Sequence, residues 1–336
     1  MVQASKTLNG DIPMTVIGLD LGGTKLAGAL FDDAGELLDR HVALLAKRRG
    51  REVGDLITQM LGELLADADR RGCAPEGVGV SVPGIAYAES GSVWAPNIPG
   101  WEAYPLREEL KRVVTSRVNR VVVDSDRACS ILGERWKGAA RGSDHAIFLA
   151  VGTGIGAGIL VDGKILRGFH DIAGAMGWLA LERPFREELA SCGCFEYFAS
   201  GDGLARLART FLAQTTEYRG PLAHVPQDAL TAHDLFTAYD QADPIARKTL
   251  ATAVEFWGMA TANLVSIFNP DRIIFGGGIF GPAVRFLDDI RLEATKWAQP
   301  ISMQHVQLLA SELGSDAALY GAGFLALVKG LGAEDR

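Results

Sequence analysis

Four cysteines in 336 residues, no basic excess and no long apolar run set the first limits on this chain. So few thiols cannot form a disulfide framework for a protein of this length, and a reducing cytoplasm is the expected setting. Residues 1–13, MVQASKTLNGDIP, lack the apolar stretch of a secretory signal and are expected to be a disordered lead-in. Acidic residues outnumber basic ones by 41 to 33, for a formal charge of −8. A nucleic-acid surface requires clustered Lys and Arg, so no nucleic-acid partner is expected. The one basic run, Lys47-Arg48-Arg49-Gly50-Arg51, is short and reads as a solvated loop or a helix start. No uninterrupted apolar stretch approaches a bilayer's thickness, which argues against a membrane partner. With 48% hydrophobic and 22% charged residues, the composition is that of a globular chain whose length suits two domains.

What the sequence does hold is centred on Val16 to Leu30, VIGLDLGGTKLAGAL. Apolar residues run up to Asp20 and resume after Lys25, which reads as strand, glycine turn, strand. Gly22 and Gly23 remove Cβ at the bend, permitting positive φ and a close ligand. Exposed N–H groups in such a turn suit a phosphate, with Thr24 adding a hydroxyl and Lys25 a charge. Asp20 at the strand end would orient a metal, a water or the turn. An ordinary hairpin with two glycines in its turn is the alternative.

A second copy shifts the balance towards phosphate. Ala146 to Val161, AIFLAVGTGIGAGILV, is again a strand, a bend at Gly152-Thr153-Gly154-Ile155-Gly156 and a strand. Two such units suggest a duplicated domain holding a nucleotide between two turns.

Between and beyond these bends the pattern alternates strands and helices. Glu36 to Leu44 reads as a third strand and Glu52 to Arg71 as an amphipathic helix. Gly77 to Gly84 reads as a central strand entering a site loop, and Leu106 to Val114 as a short helix. The loop Trp94 to Trp101 is either a surface loop anchored by two buried indoles or a wall that recognises hydroxyls through Asn97. Arg120 to Val123 is a buried strand ending in Asp124-Ser125-Asp126, where one side chain can cap the next helix while Asp126 faces a ligand. Pro244 to Phe268 and Pro282 to Gln299 read as helices, Val306 to Ala310 as a strand, and Asp316 to Lys329 as a closing helix. Gly276-Gly277-Gly278 forms a third bare bend with room for a flat ring such as adenine.

Taken in order, these pieces resemble the ROK family of bacterial sugar kinases and sugar-responsive repressors, most of all its glucokinase-like and N-acetylhexosamine-kinase-like branch. The matching segments are Asp20-Leu-Gly-Gly-Thr-Lys25, Gly79-Val-Ser-Val-Pro-Gly84, Asn97-Ile-Pro-Gly-Trp101, Val123-Asp-Ser-Asp126 with Leu132-Gly-Glu134, Gly152-Thr-Gly-Ile-Gly156, Gly193-Cys-Phe-Glu196 with Ala199-Ser-Gly201, and Asn269-Pro-Asp271 with Gly276-Gly-Gly278. The resemblance implies an α/β, actin/hexokinase-like (ribonuclease H-like) duplicated two-domain fold with a cleft between domains. The expected division is 14–123 plus 313–336 for a smaller N-terminal domain and 124–312 for a larger C-terminal one. It further implies Asp126 as general base for a sugar hydroxyl, which suits phosphoryl transfer. Asp20, Gly22, Gly23, Thr24, Lys25, Gly152, Thr153, Gly154, Gly276 and Gly277 would hold the nucleotide, with Asp20 on Mg2+. Gly84, Asn97, Ser125, Asp126 and Glu196 would hold the sugar. ATP and Mg2+ are the implied cofactors and a homodimer the implied assembly. The repressor branch carries a helix-turn-helix domain before the first bend; only a few polar residues stand there here, so DNA binding is not expected.

The chain also departs from the family pattern. Ser125 stands where the kinases usually carry Asn. Ala173-Gly174-Ala175-Met176-Gly177-Trp178 replaces Ala-Gly-Glu-x-Gly-His, removing a Glu and a His that hold the sugar near C1 and C2. The His normally binds zinc with three cysteines, and Glu187 and Leu189 occupy the places of the first two. Cys192 and Cys194 are too close together to replace them, so zinc is expected to be absent, with apolar packing around Trp178 and Leu189 holding the loop. Recognition near C1 and C2 should weaken or shift, with Arg167, His170 or Asp171 as candidate substitutes. The expected activity is ATP-dependent phosphorylation of a hexose or modified hexose; the alternative is a non-catalytic sugar-binding regulator that has lost turnover.

Overall fold

The computed structural model describes residues 14–332; the lead-in expected over residues 1–13 lies outside the described residues. The chain opens with an antiparallel meander, β1 (Thr15–Leu21), β2 (Lys25–Asp32) and β3 (Leu37–Leu44). Helix α1 (Arg51–Arg71) follows and ends at Gly72, whose φ of 69° closes the last turn. Its apolar stripe, including Ile57, Leu61 and Leu64, packs on Ile17, Leu19 and Leu30. Next come β4 (Pro75–Val82), a two-stranded pair β5 (Ile85–Ala86) and β6 (Val93–Trp94), α2 (Leu106–Val114), β7 (Arg120–Ser125) and α3 (Asp126–Lys137). β4 runs parallel to β1, and β7 parallel to β4, giving the order β3-β2-β1-β4-β7.

The second half repeats this topology. β8 (Ala146–Val151), β9 (Ile155–Val161) and β10 (Lys164–Ile165) form the antiparallel part. After α4 (Cys194–Ala199), α5 (Gly201–Gln214), α6 (Ala232–Asp240) and α7 (Pro244–Phe268) come β11 (Arg272–Gly276), α8 (Leu287–Thr295), α9 (Pro300–His305) and β12 (Gln307–Ala310). β11 is parallel to β8 and β12 to β11, so the order is β10-β9-β8-β11-β12. The closing helix, α10 (Ala317–Leu327), returns to the first sheet.

The chain forms two compact units, one of Met1–Trp136 with Ala318–Arg336 and one of Lys137–Ala317. The sequence reading divides the chain before α3, whereas the structure keeps nearly all of α3 in the first unit. A Cβ at Gly321 of α10 would meet the Cys129 carbonyl of α3 at 1.7 Å, so the two helices touch backbone to backbone. Helix α7 alone among the described residues is long and apolar enough to cross a membrane, yet 56% of its most apolar window is buried in its own unit. The expected helix over residues 282–299 is instead a 3-10 turn, Pro282–Phe286, running into α8. Pro300 then starts α9, whose Ser302 N–H is capped by the Gln299 side chain at 2.8 Å.

Two glycines give opposite predictions. A Cβ at Gly79 would stand 1.9 Å from the Ala322 carbonyl oxygen, and neither backbone has room to retreat. Gly79→Ala should therefore lower unfolding free energy by about 1–3 kcal/mol in urea titrations. Gly62 lies on the exposed side of α1 with no atom within 4 Å of an added Cβ. Gly62→Ala should raise stability by about 0.5–1 kcal/mol through helix propensity alone.

Candidate functional site

In the first unit, the candidate residues gather at the C-terminal ends of β1, β4 and β7. The first bend is tight, with the Gly22 N–H donating to the Lys25 carbonyl at 2.9 Å. Gly23 and Thr24 are exposed, while Gly22 and Lys25 are half-buried. Neither glycine uses the positive φ that its missing Cβ permits. The bend needs its glycines for bare surface rather than for handedness: a Cβ on Gly23 would lie 3.8 Å from the Asn97 amide nitrogen. Asn97 is thus brought to the first bend and left exposed. Asp20 is half-buried at the end of β1, and its Oδ1 accepts the Ser81 hydroxyl at 2.8 Å.

The tryptophan loop combines both roles read from the sequence. Trp101 is buried, stacks on Tyr104 at 4.3 Å between ring centroids and donates its indole N–H to the Gly50 carbonyl at 2.9 Å. Trp94 is 38% exposed. Gly84 has a φ of 99°, and a Cβ there would strike the Trp94 carbonyl at 2.2 Å, so the turn after β4 admits only glycine.

At the end of β7 the capping question resolves. Ser125 is buried, and its Oγ accepts the Ala128 N–H at 3.3 Å, the geometry of an N-cap. Asp126 is thereby not spent on capping. It is half-buried, with Oδ1 accepting the Arg127 N–H at 2.8 Å. Burial pushes its carboxyl above the usual range, against the pull of the Arg127 charge and N–H. Arg127 in turn reaches the Gly84 carbonyl at 3.3 Å. Asp126 and Gly84 are joined through this one residue.

In the second unit, a cavity of about 490 Å³ opens beside the second bend, lined by Gly152, Thr153, Gly201, Arg206, His233 and Gly278 among others. Two helix N-termini border it, those of α5 and α6, and such ends favour an anion. Ser200 caps α5 at Gly203, and Thr231 with Asp234 forms a capping box on α6. Arg209 donates to the Gln227 and Leu230 carbonyls at 2.5 and 3.1 Å, holding one wall. Arg206 lies 4.2 Å over the Tyr197 ring. The sequence reading passed over α5 and α6; the Thr231-x-x-Asp234 spacing is the local signal that could have located α6.

The third bend is displaced by one residue from its expected role. Gly276 is buried against the Phe148 ring, and Gly277 has a φ of 84° with an added Cβ only 2.4 Å from the Val151 carbonyl. Gly278 and Ile279 line the cavity instead. Gly154 also turns away from it, towards Glu196: a Cβ there would meet Glu196 Oε2 at 2.8 Å. That same oxygen accepts the Ile155 N–H at 2.6 Å, so Glu196 braces the second bend. Burial raises its carboxyl above the usual range, against the lowering by that hydrogen bond.

The degenerate zinc segment is held differently from the expectation. Leu189 is buried, but Trp178 is 59% exposed and packs no loop interior. A Cβ at Gly193 would lie 2.4 Å from the Gly177 carbonyl, so backbone contact closes this segment. Leu189 and Trp178 offer no donor to a zinc ion, and the thiols of Cys192 and Cys194 belong to no cluster of three metal donors among the described residues.

The family model for ROK proteins matches residues 16–329. The chain belongs to the ROK family. It is 32% identical over 322 residues to a glucokinase of Halalkalibacterium halodurans, covering 92% of this chain and 94% of that one. It is 30% identical over 315 residues to a putative xylose repressor of a Caldicellulosiruptor species, covering 91% and 76% respectively. The crystal structure of a Streptomyces griseus ROK glucokinase in complex with glucose and AMPPNP matches with a TM-score of 0.72 at 30% identity, over 93% of this chain and 99% of that one. The α/β fold is therefore the actin/hexokinase-like fold of ROK sugar kinases.

The raised carboxyl of Asp126 has a consequence for stability. A group whose folded pKa lies above its unfolded one stabilises the fold below the unfolded value, and loses that contribution as pH rises through the folded value. At neutral pH the buried carboxylate is a net cost. Asp126→Asn should therefore show a higher urea midpoint than wild type at pH 7, the gap closing as pH falls through the raised folded value and fully closed below the ordinary Asp value of about 3.9. A variant less stable than wild type at pH 7 would contradict this.

Proposed function

We propose that this ROK chain is an ATP-dependent kinase acting on a hydroxyl of a hexose or modified hexose, with Asp126 as general base. The observation that carries the reading is Asp126 itself: a half-buried carboxylate at the first residue of α3, relieved of capping by Ser125. In the reaction this carboxylate accepts the proton of the sugar hydroxyl as its oxygen bonds to the γ-phosphorus. The bond from that phosphorus to the bridging oxygen breaks, and ADP leaves. A burial-raised pKa makes the carboxylate a better proton acceptor.

The cavity beside Gly152, Thr153 and Gly278 is the proposed nucleotide site, since helix N-termini and arginines suit phosphate and a bare Gly278 leaves room for a base. The exposed turn at Gly23 and Thr24 is a second phosphate-facing surface. The Asp20 carboxylate and neighbouring Ser81 hydroxyl are hard oxygen donors that fit Mg2+. Bound with the nucleotide, Mg2+ supplies neutralisation of phosphate charge. Asn97, Gly84 and Trp94 form the sugar side of the reading, and Ala175 in place of the family Glu implies recognition near C1 and C2 unlike that of a glucokinase. ATP dependence fits the cytoplasmic setting expected from cysteine usage. The alternative, a sugar-binding regulator without turnover, rests on the same Ala175 and Trp178 but leaves the retained Asp126 without a role.

A coupled ADP-release assay over a panel of hexoses and N-acylated hexosamines tests the proposal. One sugar should give stoichiometric sugar phosphate, and Asp126→Asn should lower kcat by about 10²–10⁴-fold. Sugar binding by calorimetry without any phosphorylated product, across the panel, would favour the regulator instead. The nucleotide assignment has its own test. An added Cβ at Gly278 meets no atom within 4 Å, so Gly278→Val should fold normally while raising KM for ATP by at least about tenfold. An unchanged KM for ATP would move the nucleotide elsewhere.

A further inference from the structure

The edge strand of the first sheet carries polar side chains on its inner face. Along β3, Arg40, Val42 and Leu44 are exposed, whereas Asp39, His41 and Ala43 are half-buried. That half-buried face meets α1, which packs its apolar stripe on Leu26 and Leu30 of the neighbouring strand. An Asp and a His thus stand where the alternation calls for apolar side chains. Helix α1 answers with Glu63 and Asp67, four residues apart and so on one side of the helix. Asp67 is only 4% exposed. His41 Nε2 lies 2.6 Å from Asp67 Oδ2, and His41 Nδ1 lies 3.6 Å from Glu63 Oε2. Donor atoms of Asp39, His41 and Asp67 all lie within 4.8 Å of one another.

We propose that Asp39, His41 and Asp67 form a site for a divalent first-row transition ion, Zn2+ above all, which ties β3 to α1. Zinc takes imidazole nitrogen and carboxylate oxygen at about 2.0–2.2 Å, so donors around one ion stand at most about 4.4 Å apart. Small side-chain rotations bring the three donors into that range. An i, i+2 pair from a strand and a residue from the facing helix supply them from two rigid elements. Glu63 beside His41 Nδ1 is the carboxylate that would hold that nitrogen protonated and leave Nε2 for the metal. The hydrogen bond from His41 to Asp67 is then replaced by two metal bonds.

Two cations now balance the cluster. Arg70 pairs with Asp67, and Arg71 donates to Asp39 at 3.1 Å. The Arg70 side chain is 71% exposed and that of Arg71 45%, so both guanidinium groups can swing into water when an ion enters. A purely protective reading also exists, since inward charges on an edge strand discourage pairing with another chain. The two readings differ in what Zn2+ does. The proposal uses none of the residues assigned to phosphoryl transfer, so it stands or falls apart from the kinase reading.

The test uses the 336-residue chain, treated with chelator, dialysed, and carrying Cys73→Ser and Cys192→Ser to remove the two half-buried thiols. Calorimetric titration with ZnCl2 should give one saturable site, and thermal unfolding should shift upward with it. Cobalt(II) should give visible absorption typical of a nitrogen–oxygen site. His41→Ala and Asp67→Asn, checked as folded by circular dichroism, should each weaken binding by at least about tenfold. Arg70→Gln should tighten it, because a competing cation is gone. Zinc binding that is absent from the parent, or equally strong in both ligand variants, overturns the proposal and leaves an ion cluster that guards the sheet edge.

Discussion

The first unit depends on how closely α10 lies on its sheet. Carbonyls of Leu319, Ala322 and Ala326 sit 2.7, 1.9 and 2.6 Å from where a Cβ would stand on Gly18, Gly79 and Gly77. Three bare Cα positions on β1 and β4 therefore let helix backbone rest on strand backbone. On its other side the same helix meets α3, where Gly321 abuts the Cys129 carbonyl. Such contact multiplies weak dispersion over many atom pairs and leaves little freedom to slide. Strands β1 and β4 end in Asp20 and in the Ser81 to Gly84 turn, and α3 begins with Asp126. One helix thus sets the height of all three candidate groups. The position of Asp126 is thus inherited from glycines elsewhere in the unit.

Around Asp126 the local forces oppose one another. The first turn of α3 and the Arg127 N–H favour a carboxylate, while burial disfavours it, and burial prevails. Ser125 makes this arrangement possible by taking the cap. The family pattern of an Asn at that position would supply the same cap together with an amide for the sugar. Serine keeps the structural half of that role in this chain. A carboxyl raised by burial at the end of a strand is the kind of perturbed group that clusters at functional sites.

Much of this was legible in the sequence. The two strand–bend–strand units announced a duplication, and both sheets carry the same order of three antiparallel and two parallel strands. Helices such as α2 and α7 match their apolar periodicity to the residue. What escaped were features that depend on a partner distant in sequence. Gly276 and Gly278 look alike in the chain, but Phe148 stands over one and nothing over the other. Trp178 reads as a core residue, yet the tight backbone contact of Gly193 on Gly177 closes the segment without it and leaves the indole exposed. Helices α5 and α6 escape a reading by apolar periodicity because α5 opens on Ser200-Gly201-Asp202-Gly203 and α6 on Thr231-Ala232-His233-Asp234, starts that capping residues mark.

The two bends also show how a duplicated scaffold diverges from one copy to the other. The first lies beside the neutral amide of Asn97, and the second beside the carboxylate of Glu196. With a phosphate at the second bend, as proposed above, a full negative charge beside it is an electrostatic conflict, and two features relieve it. Glu196 commits Oε2 to the Ile155 N–H, on the Gly154 side of the bend, while Gly152 and Thr153 face the cavity. Burial also raises its carboxyl, which lowers the cost of protonation when an anion approaches. The second bend is thereby split into a braced side and an open side. The acid stiffens the glycine backbone on one flank; on the other the Gly152 N–H closes the turn onto the Gly154 carbonyl at 2.9 Å, and Gly152 and Thr153 present the open surface to the cavity.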